Sequence, residues 1–379
     1  MTMPRWAVKW ICASVGVAAL LTLVGSATAV EPQESAIGGV AASVAQAPVV
    51  EYPAEGANPV HADPWHENWT DETWDDCIPP VWSHWTINLD AVFWRRNTPD
   101  DLQLAVSNPG VNPNATSLTF DNEAGPRLAL IRRGISGWDV ELNYVGIEGF
   151  QSELNMPGAV DPRVPGDDAG GLYTSTALGF GFTGMRVRYD SRLYSEELNL
   201  RRQLNETWTG LVGVRCVQVY ENLHVDIDSN LAPFYSIEAE NRLFGLQLGG
   251  EGKLFCTERF LLTTSLKAGL FENNSEQATT DVSGVLAGAA PPVSLRASTN
   301  QASFVGELGL LGTYRLSETI LLRAGYNVMW IDDVSLASEQ LSANEFQTVA
   351  PPPDTALRSV RADGSLFYHG AVVGVEMTW

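Results

Sequence analysis

The first candidates for chemistry are charged side chains that recur on one parity of alternating segments: Asp90, Asp139, Glu141, Arg215, Glu251, Lys253, Lys267, Glu307, Arg323 and Glu376. Both signs occur, and small residues accompany them, among them Gly213, Gly249, Gly269 and Gly325. Gathered into a narrow interior such charges pair with one another, because an unpaired ion there is costly. Left hydrated, the same groups would line a conduction path. One further cluster has the residue types of general-base chemistry, His224 with Asp226 and Asp228. That chemistry needs an oriented imidazole beside a nucleophile or a water. No G-x-S-x-G is present, no serine is singled out as a partner, and three polar residues at the start of an acidic loop are ordinarily solvated surface. No enzyme activity is expected. His61 and His66 read as non-ligating, no D-x-D-x-D-G loop appears, and no cofactor or metal is expected.

The elements that position these charges are strands. In 366–379, LFYHGAVVGVEMTW, Phe367, His369, Ala371, Val373, Val375, Met377 and Trp379 alternate with Tyr368, Gly370, Val372, Gly374, Glu376 and Thr378. A period of two is that of a strand. Ten such segments follow in order: 85–95, 127–133, 138–149, 185–202, 208–220, 243–254, 260–271, 304–314, 319–330 and 366–379. Most have the roughly 9 to 11 residues that a tilted strand needs to cross the hydrocarbon of a bilayer. The fourth changes phase. Met185, Val187 and Tyr189 are apolar on one parity and Leu198 and Leu200 on the other, so either a bulge near 191–195 or a strand running above the membrane is required.

Connection lengths alternate along the chain. Residues 133–137, 203–207, 255–259 and 315–318 are short links, whereas 96–126, 150–184, 221–242, 272–303 and 331–365 are long. Short periplasmic turns and long outer loops characterise outer-membrane barrels. Aromatics mark both strand ends: Trp85, Trp138, Trp208, Phe260, Tyr314 and Trp379 near the short turns, and Phe93, Tyr144, Phe304, Trp330 and Phe367 near the long loops. Two belts around an aliphatic band suit a bilayer. The expected fold is an all-β, transmembrane antiparallel β-barrel of about ten strands, twelve if the loops hide a hairpin, with Trp85, Trp138, Trp208, Trp330 and Trp379 as interface aromatics.

Residues 1–29 carry Arg5 and Lys9, an apolar run and the Ala27-Thr28-Ala29 site of a cleaved signal peptide. Residues 30–80 are acidic, rich in Ala and Pro and without period, and read as a disordered periplasmic tail; the barrel is expected over 81–379. Losing Arg5 and Lys9 takes the formal charge from −22 to −24, which argues against nucleic acid as a partner. Cys12 leaves with the signal, and the odd set Cys77, Cys216 and Cys256 reads as structural or unpaired.

Several strand and turn motifs resemble the β-barrel porin-7 family, outer-membrane proteins known mainly from planctomycetes. They are Gly125-Pro126-Arg127-Leu128, the run from Trp138 to Tyr144, the run from Ser195 to Arg202, the run from Gly210 to Arg215 with Glu221 following, and Tyr368-His369-Gly370. The resemblance implies a secreted outer-membrane barrel and supplies no catalytic or ligand residues. The expected function is a porin-like narrow channel for small solutes or ions, the alternative a non-conducting structural or surface-interaction envelope protein. Expected partners are outer-membrane lipid, the barrel-assembly machinery acting on the terminal aromatic strand, and a homo-oligomer.

Overall fold

The computed structural model describes residues 84–107, 112–135, 137–163, 182–228, 232–282, 293–341 and 360–379. Eleven strands form one antiparallel sheet: β1 (Trp85–Arg96), β2 (Ala105–Ser107), β3 (Glu123–Ile135), β4 (Trp138–Pro162), β5 (Phe182–Gln203), β6 (Trp208–Ile227), β7 (Ala232–Cys256), β8 (Phe260–Asp281), β9 (Val293–Arg315), β10 (Ile320–Val334) and β11 (Gly364–Thr378). Their order runs β2-β4-β3-β1-β11-β10-β9-β8-β7-β6-β5, and a β4–β5 ladder closes the ring. Ten strands make the wall, and three-residue β2 continues the upper ladder of β4. Closure satisfies every wall strand, as lipid demands. At the seam between first and last strands a Cβ on Gly370 would lie 2.0 Å from the carbonyl oxygen of Phe93, so only glycine permits this approach.

The pleat sorts the wall. On β8, Leu266 is 60% and Leu270 72% exposed while Lys267 between them is 6% exposed; the leucines face outward and the lysine inward. Leu246 and Leu248, Leu308 and Leu310, and Ile320 and Leu322 continue the outward apolar band onto β7, β9 and β10. From Ile320 to Trp330 on β10 the band is about 25 Å tall at a tilt near 40°, which matches a hydrocarbon core.

Several strands are much longer than the alternating segments suggest. β4 ends at Pro162 rather than 149, β6 and β7 are joined through only 228–231, and β8 continues to Asp281. Beyond the bilayer the outward face no longer has to be apolar, so the simple pattern stops while the ladder does not. The same fact resolves the phase change on the fourth segment. The β5–β6 register is unbroken, the irregularity opposite Ser191 and Leu193 being an extra residue on β4 between Ile147 and Phe150, and Met185, Val187, Tyr189 and Leu193 are buried in an inner core whereas Leu200 below them is exposed. The strand extends above the membrane, and its apolar side switches from the outside to the inside. Cys216 and Cys256 are both disulfide-bonded. The expected signal peptide and the whole of the expected tail, 30–80, with Cys77 in it, lie outside the described residues.

Candidate functional site

The lumen has two layers. Nearer the short turns it is polar. β1 contributes Thr86, Asn88 and Asp90, β3 Arg127, β4 Asp139, Glu141 and Asn143, β5 Glu197, Asn199 and Arg201, and the remaining strands Arg215, Gln247, Glu251, Lys253, Lys267, Glu307, Arg323, Asn327 and Glu376. Arg215 on β6 reaches across to Glu307 on β9 at 3.0 Å and lies 3.6 Å from Glu197. Its Nε donates to Ser195 Oγ at 2.9 Å. Lys267 holds Glu197 at 2.7 Å, and Arg127 holds Glu307 at 3.3 Å. Arg201 bridges Glu141 at 2.7 Å and Glu251 at 2.8 Å. Arg323 joins Asp90 at 3.4 Å to Glu376 at 2.9 Å. Amides knit these pairs together: Asn199 Nδ2 donates to both Glu141 and Glu197 at 3.0 Å, and Gln247 Nε2 donates to Glu197 at 2.9 Å. The buried ions are thus paired, and most of the pairs are also hydrogen-bonded, the condition under which they are tolerated; Asp90 Oδ1 and Arg323 Nε meet as an ion pair without a hydrogen bond. Below them a cavity of about 310 Å³ opens, lined among others by Asp139, Glu141, Glu251, Lys253, Lys267, Arg323 and Glu376. Asp139 accepts from the backbone N–H of Gly134 at 2.9 Å.

Above the ions the lumen is a dry core of Trp94, Ile147, Phe150, Val187, Tyr189, Val219, Leu223 and Tyr368. Two connections fold into it. From the first, Leu104, Ala105, Ala115, Leu118 and Phe120 are buried. From the last, every residue of 335–341 is buried. Asn241 grips Ser335 by both amide atoms at 2.7 Å, and the Ala337 N–H donates to Glu221 at 3.1 Å. Gln301 and Ser303 donate to the Asp333 carbonyl at 2.7 and 2.6 Å. Glu221 also pairs with Arg96 at 2.5 Å, with both side chains fully buried. The Arg96 guanidinium lies 4.4 Å over the Phe120 ring and 5.4 Å over that of Tyr189, placements that favour a desolvated cation. A single charged post thereby ties both inward segments to the wall.

Sequence parity alone does not find Arg127, Glu197, Arg201, Arg96 or Glu221 as members of these networks. Arg127 follows a proline at a segment start, Glu197 and Arg201 sit where the phase was ambiguous, and Arg96 and Glu221 stand at segment ends. Their common signal is parity with an unambiguous inward neighbour on the adjoining strand.

On the outside, Trp138, Trp208, Trp330 and Trp379 are exposed and Trp85 half-buried. Arg132 sits 4.8 Å over the Trp85 ring and Arg202 5.3 Å from that of Trp138. His224, Asp226 and Asp228 do not assemble: Asp226 is held by Arg186 at 2.9 Å and Arg188 at 3.1 Å, and Asp228 accepts from the Thr183 N–H. Among the described residues no group of three His, Cys, Asp or Glu is placed to hold a metal ion.

Residues 187–379 match the model of a family described as "Putative beta barrel porin-7". Among solved structures, the chain is similar to the Escherichia coli outer membrane protease OmpT, with a TM-score of 0.44 and 8% identity over 78% of this chain and 96% of that one. It is similar to the translocator domain of the autotransporter NalP from Neisseria meningitidis, with a TM-score of 0.35 and 11% identity over 80% and 92% of the two chains. The Pseudomonas putida toluene transporter TodX aligns with a TM-score of 0.29 and 10% identity over 78% and 89%. No curated protein matches the sequence.

Proposed function

The chain belongs to the beta barrel porin-7 family of outer-membrane barrels, and from that membership and the build of its lumen we propose a porin-like barrel that is shut at rest and passes small solutes or ions only when its outer seal is displaced. The observation that carries this reading is the unlikeness of the two layers. The outer closure is made by chain folded in from the connections, 335–341 above all, whereas the layer beneath it is a ladder of ions open to a polar cavity. A barrel needing only to be filled is as stable with apolar side chains as with buried ion pairs. Charged walls below a removable seal suit the passage of small polar solutes.

The second reading is a permanently closed structural or surface-interaction protein. What favours it is Arg215, a wall side chain that reaches across the lumen from β6 to Glu307 on β9 and is not moved by any loop. Planar-bilayer recording of the refolded protein separates the two. The variant in which 335–341 is replaced by a Gly/Ser stretch of equal length should show conductance steps that the unaltered protein lacks. Absence of steps in both, across several salts, supports the closed reading, and equal steps in both overturns the seal. The proposal includes removal of 1–29 on secretion, a periplasmic tail over 30–80, hand-over to the barrel-assembly machinery through β11, and Trp85, Trp138, Trp208, Trp330 and Trp379 at the bilayer interfaces. A homo-oligomer is compatible with it.

A further inference from the structure

One side of the chamber near the short turns carries a patch that the ion networks largely leave out. There Asn88 of β1, Ala129 of β3 and Asn143 of β4 stand side by side in one row of the ladder, and Thr86, Ile131 and Glu141 form the next row toward the short turns. All six line the cavity. Strands lie ~4.8 Å apart, so the two asparagines stand about 10 Å apart across the alanine. The result is a slot with an apolar floor, Ala129 and Ile131, between two polar rims.

Unspent hydrogen-bonding capacity singles this slot out. Asn88 is 6%, Asn143 4% and Thr86 1% exposed, yet Asn88 Oδ1, Asn143 Oδ1 and Thr86 Oγ1 have no hydrogen-bond partner among the described residues. Other amides at this depth are engaged: Asn199 and Gln247 donate to Glu197, and Asn327 donates to Glu307. Buried polar groups without partners are destabilising and uncommon, and three in one patch mark a place that another molecule completes. Water can meet the rims but gains nothing from the floor. A ring with hydroxyls on its edge and C–H groups on its face meets both.

Charge narrows the class further. Arg201 is held by Glu141 and Glu251, and Arg323 by Asp90 and Glu376, so an ionic solute would have to displace a partner already in place. A hydroxyl both donates and accepts and therefore serves either end of an amide. At about 310 Å³ the chamber is at the small end of ligand sites, a size for a single ring. We propose that the slot binds a neutral polyhydroxylated ring, a monosaccharide or cyclitol, with its C–H face on Ala129 and Ile131. Its hydroxyls lie between Thr86 and Asn88 on one rim and Asn143 on the other. This deepens the reading of the barrel as a route for small polar solutes and rests on it for passage, whereas binding is measured without passage.

The test uses the processed protein refolded in a detergent that has no sugar headgroup. The probes are glucose and myo-inositol, with gluconate and glucosamine as charged counterparts. Saturation-transfer NMR should show saturable transfer to the C–H protons of at least one neutral probe, and weaker binding of both charged ones. With Asn88→Ala and Asn143→Ala together, two hydrogen bonds are lost and the dissociation constant should rise about five- to hundredfold. The denaturant midpoint of that solute-free barrel should match or exceed the parent's, because two orphaned acceptors are removed. Ala129→Leu, which fills the floor and leaves the rims, should abolish transfer with heat-modifiable mobility retained. No saturable transfer from either neutral probe, an unchanged constant or a lowered midpoint in the double variant, or tighter binding of a charged probe overturns the site. Site and route fail separately. A neutral probe bound by a barrel that never conducts leaves the site standing, whereas conductance steps in the 335–341 variant without any binding remove the site and leave the route.

Discussion

Replacing Glu307 by leucine probes the ion layer where it is most completely enclosed. Glu307 accepts from Arg215 at 3.0 Å, from Arg127 at 3.3 Å and from Asn327 at 3.1 Å. Three bonds to the carboxylate, all charge-assisted and each about 1.5 to 3 kcal/mol, are lost, for a gross cost of about 4.5 to 9 kcal/mol. Part is recovered: the Arg127 side chain is 15% exposed and rehydrates, and leucine fills the space left. The Arg215 side chain is 1% exposed and cannot rehydrate, keeping Glu197 at 3.6 Å, Ser195 and a weak bond to Met329 Sδ at 3.7 Å. The expected net loss is about 3 to 5 kcal/mol, the range for breaking a buried ion pair from one side. R215M should lose less, about 2 to 3 kcal/mol, because Lys267 still holds Glu197 and Arg127 still holds Glu307. The double variant removes both partners and should fall short of the sum by about 1 to 3 kcal/mol. Denaturant unfolding of the refolded barrel in lipid vesicles, followed by tryptophan fluorescence and heat-modifiable gel mobility, measures all three. Stability of E307L within about 0.5 kcal/mol of the parent, or strict additivity in the double variant, would refute the assembled network.

Three further outcomes test other levels of the structure. L266R, at an outward position within the apolar band, should cost about 2 to 4 kcal/mol of barrel stability in lipid, while R188L, outward but above the band, should cost under about 1 kcal/mol; equal costs would misplace the bilayer. Burial, with Asp363 and Asp100 nearby and only Arg361 opposing, pushes the Glu339 carboxyl up to about 8. The folded segment therefore keeps this proton to a higher pH than the unfolded chain, so its stability is complete below about 4.5 and declines as pH rises to about 8; hydrogen exchange at Ser335 and Ala337, taken relative to E339Q, should show that decline. Deleting Trp379, whose N–H and carbonyl exchange hydrogen bonds with Trp85 at 3.1 Å, should lower the fraction that reaches the heat-modifiable form by severalfold and leave the thermal transition of that fraction within a few degrees of the parent.

Which parts of this molecule are legible in its sequence follows from what each stretch has as solvent. Within the bilayer, lipid dictates one face of every strand, and the alternation at Ile320, Leu322, Ala324 and Tyr326 against Arg323, Gly325 and Asn327 gives strand, phase and inward residues together. Above the bilayer, water relaxes that demand. There Met185, Val187 and Tyr189 still alternate with Arg186, Arg188 and Asp190, but the apolar parity now faces the lumen, so a reader who keeps the lipid rule assigns the wrong face or ends the strand. The inversion is itself informative. A strand whose apolar parity switches without a bulge records two boundaries at once, the edge of the membrane outside and the start of a dry core inside. On β5 the switch falls between Leu198 and Leu193, the stretch in which Ser195 and Glu197 meet Arg215 and Lys267. The polar ion layer therefore stands where the wall has lipid on one side and a cavity on the other, and the outer seal where it has water outside and packed chain within. The inward chain, 335–341 and, from the first connection, Leu104, Ala105 and 115–120, has no period of its own because, three-residue β2 apart, it is neither strand nor lipid-facing. Its burial is decided by Asn241, Glu221 and Arg96, whose partners lie 94 to 125 residues away in the chain, a separation that no local pattern records.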